Sequence, residues 1–121
     1  MRKLIVALGL FIGTLAMDAQ NIGHIEQQGS WYYIYNQAGK KTHTLSASSG
    51  VLAGYSSTMF ILRNGSWYYI YNAEGRKEKT LSASTVGDIL NVTGDTFTSR
   101  HGTWIYTWSR DGRKINTRAA R

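Results

Sequence analysis

The pattern of apolar and polar positions repeats along this chain. The run Trp-Tyr-Tyr-Ile-Tyr-Asn at residues 31–36 returns unchanged at residues 67–72, and a weaker copy, Trp-Ile-Tyr-Thr-Trp-Ser, stands at residues 104–109. Trp31, Trp67 and Trp104 are thus 36 and 37 residues apart. A fixed period of this length indicates tandem structural repeats, and the repeat decides the fold.

Each repeat predicts short antiparallel strands, because apolar side chains alternate and glycine-containing turns separate the runs. The units cover residues 22–48, 50–84 and 87–121, and they form a single all-β domain over residues 20–121. The first unit lacks a counterpart of its first strand, so the pattern predicts eleven strands and no helix. The predicted strands are 23–27, 31–36, 41–47, 51–56, 58–63, 67–72, 77–83, 88–93, 96–100, 104–109 and 114–120.

Two kinds of turn recur in every unit. Gln28-Gly29, Asn64-Gly65 and His101-Gly102 precede the tryptophan strands and predict two-residue type I′ hairpins. Residues 36–39, 72–75 and 109–112 follow those strands and end in glycine, which predicts type I turns with a bulge.

The tryptophan strands carry aromatic or apolar side chains on both faces. One face of the first copy has Trp31, Tyr33 and Tyr35, and the other has Tyr32 and Ile34. A strand that is apolar on both faces is typical of a layer between two others, so these aromatics are predicted to fill the core. Aromatics left exposed at the ends of the stack could bind a cation or a sugar. The candidates, favoured over the middle Trp67, are Trp31, Tyr33, Trp104, Tyr106 and Trp108.

The segment from Phe60 to Ala83 resembles a blade of a β-propeller, a fold that stacks four-stranded antiparallel meanders. The resemblance implies propeller-like blades, although Tyr35-Asn36 and Tyr71-Asn72 stand where one propeller class has Trp-Asp. Propellers typically have 4–8 blades and this chain has fewer than three complete units. The stack therefore stays open or closes by oligomerisation, and a three-fold barrel like a β-trefoil is the alternative.

The hairpin at residues 64–75 is similar to choline-binding and glucan-binding cell-wall repeats. That resemblance implies an aromatic cage formed by Trp31, Tyr33, Trp67 and Tyr69. Those repeats are shorter, however, and the Gly-Trp that follows their hairpin is absent here.

The N-terminus predicts a secretory signal peptide over residues 1–19. Arg2 and Lys3 precede an apolar run at residues 4–15, and small residues follow at Ala16 and Ala19, either of which suits cleavage. The run is short for a membrane span, which needs about 20 apolar residues, and an uncleaved anchor is the alternative. The expected location is periplasmic or secreted, and the absence of cysteine excludes disulfides and a lipid-modified cysteine.

Positive charge dominates the chain. The net charge is +7, and it becomes +6 when Arg2, Lys3 and Asp18 leave with the signal peptide. Basic residues recur after the same turn in each unit and predict a basic edge, which could meet an anionic glycan or envelope surface. The alternative is a solvated rim that discourages strand pairing. The residues are Lys40, Lys41, Arg76, Lys77, Arg113 and Lys114.

The sequence indicates binding rather than catalysis. His24, His43 and His101 fall at unrelated places, and no spacing suggests a metal site, a cofactor or a nucleophile with its base. The leading hypothesis is an exported, non-catalytic scaffold that meets another protein, or itself, through open sheet edges. Alternatives are a module that binds envelope glycan or choline and a small inhibitor or immunity protein. Export argues against nucleic acid as a partner.

Overall fold

The computed structural model describes residues 21–120, and it confirms the all-β repeat fold. Eleven strands form as predicted. The predicted signal peptide lies outside the described residues and stays a prediction. No helix within residues 21–120 has the length and apolarity needed to cross a membrane. The strands are β1 Ile22–Gln28, β2 Trp31–Asn36, β3 Lys41–Ser46, β4 Val51–Tyr55, β5 Met59–Asn64, β6 Trp67–Asn72, β7 Lys77–Ser82, β8 Asp88–Thr93, β9 Thr96–His101, β10 Trp104–Ser109 and β11 Lys114–Ala119.

The strands form three separate antiparallel sheets, one for each repeat. Their orders are β1-β2-β3, β4-β5-β6-β7 and β8-β9-β10-β11, so every sheet is a simple meander. We call them the first, second and third blade. The barrel alternative is wrong, because no strand pairing joins one blade to the next in the described chain.

The expectation of no helix is wrong at the links between blades. A 3₁₀ turn, Ala47–Ser49, joins the first two blades, and a one-turn helix, α1 (Ala83–Val86), joins the second to the third. Each link turns the chain from the last strand of one blade to the first strand of the next. Ser46 caps the first link by accepting a hydrogen bond from Ser48 N, a local bond that competes with the sheet ladder.

The turns before the tryptophan strands are not type I′. Gln28 pairs with Trp31, so the two loop residues are Gly29 and Ser30. Gly29 has φ +61°, and no non-glycine residue in the described range has positive φ. Positive φ at the first loop position alone is the pattern of a type II′ turn, and Gly65 and Gly102 repeat it.

The turns after the tryptophan strands are confirmed. Gly39 N donates to Asn36 O at 3.0 Å, and Asn36 N donates to Lys40 O at 2.9 Å. The Asn36 side chain accepts from Ala38 N and Lys40 N, which fixes the turn. Gly39 has φ +85°, as the expected bulge at the end of the turn requires. A further register shift lies between Ile34 and Tyr35.

Two cores hold the three blades together. The Tyr32 and Ile34 side of the first blade packs against the Tyr71 side of the second. The Tyr68 and Ile70 side of the second blade packs in turn against the third. The middle strand β6 is therefore covered on both faces, as its sequence predicts. The first core contains Ile22, Ile25, Tyr32, Ile34, Phe60, Leu62 and Tyr71, and the second contains Met59, Ile61, Tyr68, Ile70, Ala83, Val86, Val92, Phe97 and Trp108.

Tyrosine hydroxyls tie each blade to the link that follows it. Tyr32 Oη donates to Gly50 O at 2.7 Å and accepts from Leu52 N at 3.1 Å. Tyr68 Oη donates to Gly87 O at 2.7 Å. Both rings are buried, and their hydrogen bonds are partly buried. The third copy carries Ile105 at this position, which cannot make such a bond.

We expect Tyr32→Phe to cost more stability than Tyr68→Phe. A lost hydrogen bond of this kind costs about 1 kcal/mol, and an orphaned buried N–H adds about 1–3 kcal/mol. Tyr32→Phe loses two bonds and orphans Leu52 N, whereas Tyr68→Phe loses one. Urea unfolding of both variants measures the difference, and equal losses would contradict the role of the Leu52 bond.

Candidate functional site

The outward face of the first blade is the main candidate surface, and we call it the free face. It consists of Trp31, Tyr33 and Tyr35 on β2, the flanking His24 and Glu26 on β1, and Lys41 on β3. His24 pairs with Tyr35, Glu26 with Tyr33, and Lys41 with Tyr35 across the sheet, so these side chains share one face. None of the six belongs to the two cores of residues 21–120.

The free face keeps the aromatics of a blade interface but not its apolar neighbours. In the second blade the positions of His24 and Glu26 are Phe60 and Leu62, which pair with Tyr71 and Tyr69 and are fully buried. In the third blade they are Phe97 and Ser99, also buried. The side chains of His24 and Glu26 are 47% and 40% exposed. This face therefore has the polar residues of a surface around the aromatic strand of an interface.

Local contacts order the free face. The His24 and Tyr35 rings stack with centroids 4.5 Å apart and planes 4° from parallel. Glu26 accepts hydrogen bonds from His24 Nε2 at 3.3 Å and from Gln28 Nε2. Lys41 Nζ lies 4.3 Å from the centroid of the Tyr33 ring, a cation–π contact. Aromatic, acidic and basic groups thus alternate across the face.

The predicted basic edge is present as exposed side chains at equivalent turns. Lys41, Lys77 and Lys114 each place the ammonium 3.9–4.3 Å from a tyrosine ring in their own blade. This recurring contact explains why a lysine opens the last strand of each blade. Lys40, Arg76 and Arg113 are also exposed, and no hydrogen bond or ion pair in the described chain gathers the six into one site.

The three tryptophans that begin these strands do not differ in exposure. Trp31, Trp67 and Trp104 are 47%, 48% and 48% exposed. Each is the first residue of its strand, next to the turn. Exposure alone therefore does not distinguish the three tryptophans. They differ in the side chains that lie beside them on the same strand.

Among the other candidates, Trp108 lies in the core and Tyr106 is half-buried at its margin. Trp108 is 5% exposed, and its indole N–H donates to Ser99 Oγ at 2.9 Å. Phe97 stacks on it with a centroid distance of 6.1 Å. Of the third blade's candidates, Trp104 is the one that is well exposed.

The outward face of the third blade is more polar than the matching face of the second. Thr98, Thr107 and Asn116 pair across it, whereas the second blade has Ile61, Ile70 and Lys79 at those positions. Arg118 likewise replaces Leu81. Polar residues on this face suit its contact with water.

One edge of the first blade is open. Within residues 21–120, no strand pairs with β1 on the side away from β2, whereas β4 and β8 fill the corresponding place in the other blades. An unpaired edge exposes backbone donors and acceptors that can pair with another chain. The prediction that the first unit lacks its first strand concerns residues before Ile22, which lie outside the described residues, and it stays a prediction.

A polar cluster joins the second and third blades at the turn end. Arg110 bridges Glu78 and Asp95 at 3.0 Å each, and Thr58 Oγ1 donates to Asp95 at 2.7 Å. The hydrogen bond from the Thr58 hydroxyl holds the pKa of Asp95 below its usual value. Partial burial opposes this shift, and the Arg110 guanidinium adds to it. Partial burial raises the pKa of Glu78, but hydrogen bonds from Arg110 and Asn72 outweigh it and lower the pKa. Thr58, Glu78 and Arg110 line an open cleft of about 350 Å³, and each already has a partner.

The described residues show no arrangement of side chains typical of a metal site or a catalytic centre. No group of three histidine, aspartate or glutamate side chains in residues 21–120 is placed to hold a metal ion. A second groove, of about 450 Å³, lies between the second and third blades beside Val51, Arg63 and Asp88. It is open and contains no nucleophile with an adjacent base.

The comparisons with known proteins give information on the fold. No family model matches the chain, and no curated protein matches it. Among solved structures it is similar to BamB from Moraxella catarrhalis, a β-propeller protein, with a TM-score of 0.51 and 12% identity. The three sheets are propeller-type blades. The match covers 78% of this chain and 32% of BamB, so the chain spans about a third of that protein's length. The choline-binding resemblance gains no support.

Sequence reasoning missed two residues of the free face. It gave His24 no role and did not mention Glu26 as a site residue. Both could have been found by aligning the repeats on tryptophan, because they stand where the second copy has Phe60 and Leu62.

Proposed function

We propose that this chain is an exported, non-catalytic binding protein that accepts an extended strand from a protein partner at the open edge of β1. The single observation behind this proposal is that, within residues 21–120, the first blade has three strands and the other two have four. The likeness to a propeller supports a scaffold fold but names no partner. Strand addition is a common mode of peptide recognition, in which backbone hydrogen bonds supply affinity and side-chain pockets supply specificity.

The neighbouring blade indicates what the incoming strand must look like. In the second blade, β4 pairs with β5 through Leu52 opposite Leu62 and Gly54 opposite Ile61. A Cβ at Gly54 would lie 2.7 Å from Val92 Cγ2 of the next blade. Tyr55 of the second blade occupies the place that Val92 has in the third, because both pair with the stacking phenylalanine of their blade. The partner strand therefore needs a small residue facing Tyr55. Along the rest of the strand, polar and apolar residues should alternate.

A synthetic peptide with the sequence of residues 50–56 tests this proposal as a stand-in for the partner strand. We expect saturable chemical-shift changes and slower hydrogen exchange at β1 amides, because the peptide satisfies that edge. The control peptide carries Gly54→Val, which places a side chain where the partner strand must be small to clear Tyr55, so it should not bind. Changes confined to β3, β7 or β11, or equal binding of both peptides, would contradict the proposal.

Self-association through the same edge is the alternative protein partner. It predicts dimers or larger species whose mass, measured by light scattering, rises with concentration. A strict monomer at high concentration contradicts it and leaves the edge to another protein. Export itself rests on residues 1–19, and N-terminal sequencing of the protein recovered outside the cytoplasm tests it.

A further inference from the structure

We propose that the free face binds a neutral, unbranched oligosaccharide along the aromatic stripe Trp31, Tyr33 and Tyr35. This surface differs from the β1 edge, because its groups are side chains on the flat of the sheet rather than backbone groups at its margin. Each of the two proposals can therefore be tested independently of the other. The inference rests on how this face departs from the equivalent face in the other two blades.

Another blade is a poor occupant of this face. When the second blade docks through its matching face, Phe60 and Leu62 become fully buried. The same docking here would bury His24 and the carboxylate of Glu26. A buried polar group without compensating bonds costs about 1–3 kcal/mol in proteins, and an unpaired charge costs more. A ligand rich in hydroxyl groups can satisfy Glu26, whereas an apolar blade face cannot.

The stripe has the shape of a sugar platform. Its three rings alternate along one strand at residues i, i+2 and i+4, which spans roughly 13 Å at the usual strand rise. That length suits several sugar rings in a row rather than one. Aromatic faces carry negative charge density, so they attract the slightly positive C–H face of a sugar. His24 stacks on one face of the Tyr35 ring and holds that ring in place.

Polar groups flank the stripe where hydroxyls would lie. Glu26 stands beside Tyr33 and presents carboxylate oxygens to hydroxyl donors, while His24 and Gln28 hold it in place. Lys41, exposed above the Tyr33 ring, can donate to hydroxyl oxygens. One acidic and one basic side chain balance each other, which favours a neutral ligand over an anionic one. At the Glu26 position the other blades have Leu62 and Ser99, so this balance belongs to the free face.

Isothermal titration of the purified protein with cellotriose, chitotriose and maltotriose tests the proposal, with trigalacturonate as the anionic comparison. We expect saturable binding of at least one neutral trisaccharide and weaker binding of trigalacturonate. Trp31→Ala should weaken that binding about tenfold or more, because it removes the most exposed ring of the stripe. Trp67→Ala is the matched control: Trp67 is equally exposed, but its companion Tyr71 is buried against the first blade.

Three results would overturn the proposal. The first is the absence of binding by all three neutral trisaccharides at millimolar concentration. The second is an equal loss of binding in the Trp31→Ala and Trp67→Ala variants. The third is a wild-type oligomer that Trp31→Ala converts to a monomer, since the free face would then be a protein interface. Circular dichroism of each variant establishes that a lost signal reflects binding and not unfolding.

Discussion

Gly87→Ala is expected to destabilise the protein by about 3–5 kcal/mol, from backbone strain and steric overlap together. Gly87 ends the link between the second and third blades with φ 88° and ψ −154°, a region that side chains rarely adopt. An added Cβ would also lie under 3.0 Å from the carbonyl group of Arg100 on β9. The backbone of the third blade passes too close for any side chain, so the substitution must displace either α1 or β9.

Gly102→Ala is the matched control for this prediction. Gly102 also has positive φ, +63°, but an added Cβ there meets nothing within 4 Å. Strain alone should cost about 1–2 kcal/mol. Urea unfolding of both variants gives the two losses. Equal losses would mean that the close approach of Gly87 to β9 contributes nothing.

The repeat made the fold predictable from sequence. Tryptophan and glycine recur at fixed offsets, and each has a local reason: the strand needs apolar residues on both faces, and Gly39 and its equivalents need positive φ. The eleven strands and the bulged turns followed from those positions. The type of the other turn did not, because Gln28-Gly29 and Gly29-Ser30 both place a glycine within a plausible two-residue loop.

The helical links could not be read from the repeat. Ala47-Ser48-Ser49 and Ala83-Ser84-Thr85-Val86 are too short for a helical period, and their conformation depends on tertiary contacts. Val86 is fully buried against the third blade, and the Ser84 carbonyl accepts from His101 Nε2 at 2.8 Å. Both contacts join residues from different blades, which a local pattern does not record.

The candidate site was only partly predictable for a related reason. The first two tryptophan strands are identical, so their own sequence cannot say which face of which copy is covered. That information lies in their neighbours, where His24 and Glu26 replace Phe60 and Leu62. The second blade packs on the Tyr32 and Ile34 side of the first. The opposite side, which carries His24 and Glu26, is therefore the exposed one.

Exchanging these residue types is expected to have opposite consequences at the two equivalent positions. Leu62 is 0% exposed in the core between the first two blades. Leu62→Glu removes an apolar side chain, a change that by itself costs about 2–5 kcal/mol, and it adds a charge with no partner. Small domains have a total stability of about 5–15 kcal/mol, so we expect this variant to be largely unfolded or to dissociate its blades.

Glu26→Leu should change stability by no more than about 0.5–1 kcal/mol, because Glu26 lies on an exposed face and its bonds to His24 and Gln28 are open to water. Urea unfolding compares the two variants with the wild type. Retention of near wild-type stability in Leu62→Glu, or a loss above about 2 kcal/mol in Glu26→Leu, would contradict the packing order. The pair decides whether the first blade ends the stack at an exposed surface, because that arrangement alone makes glutamate harmless at position 26 and disruptive at position 62.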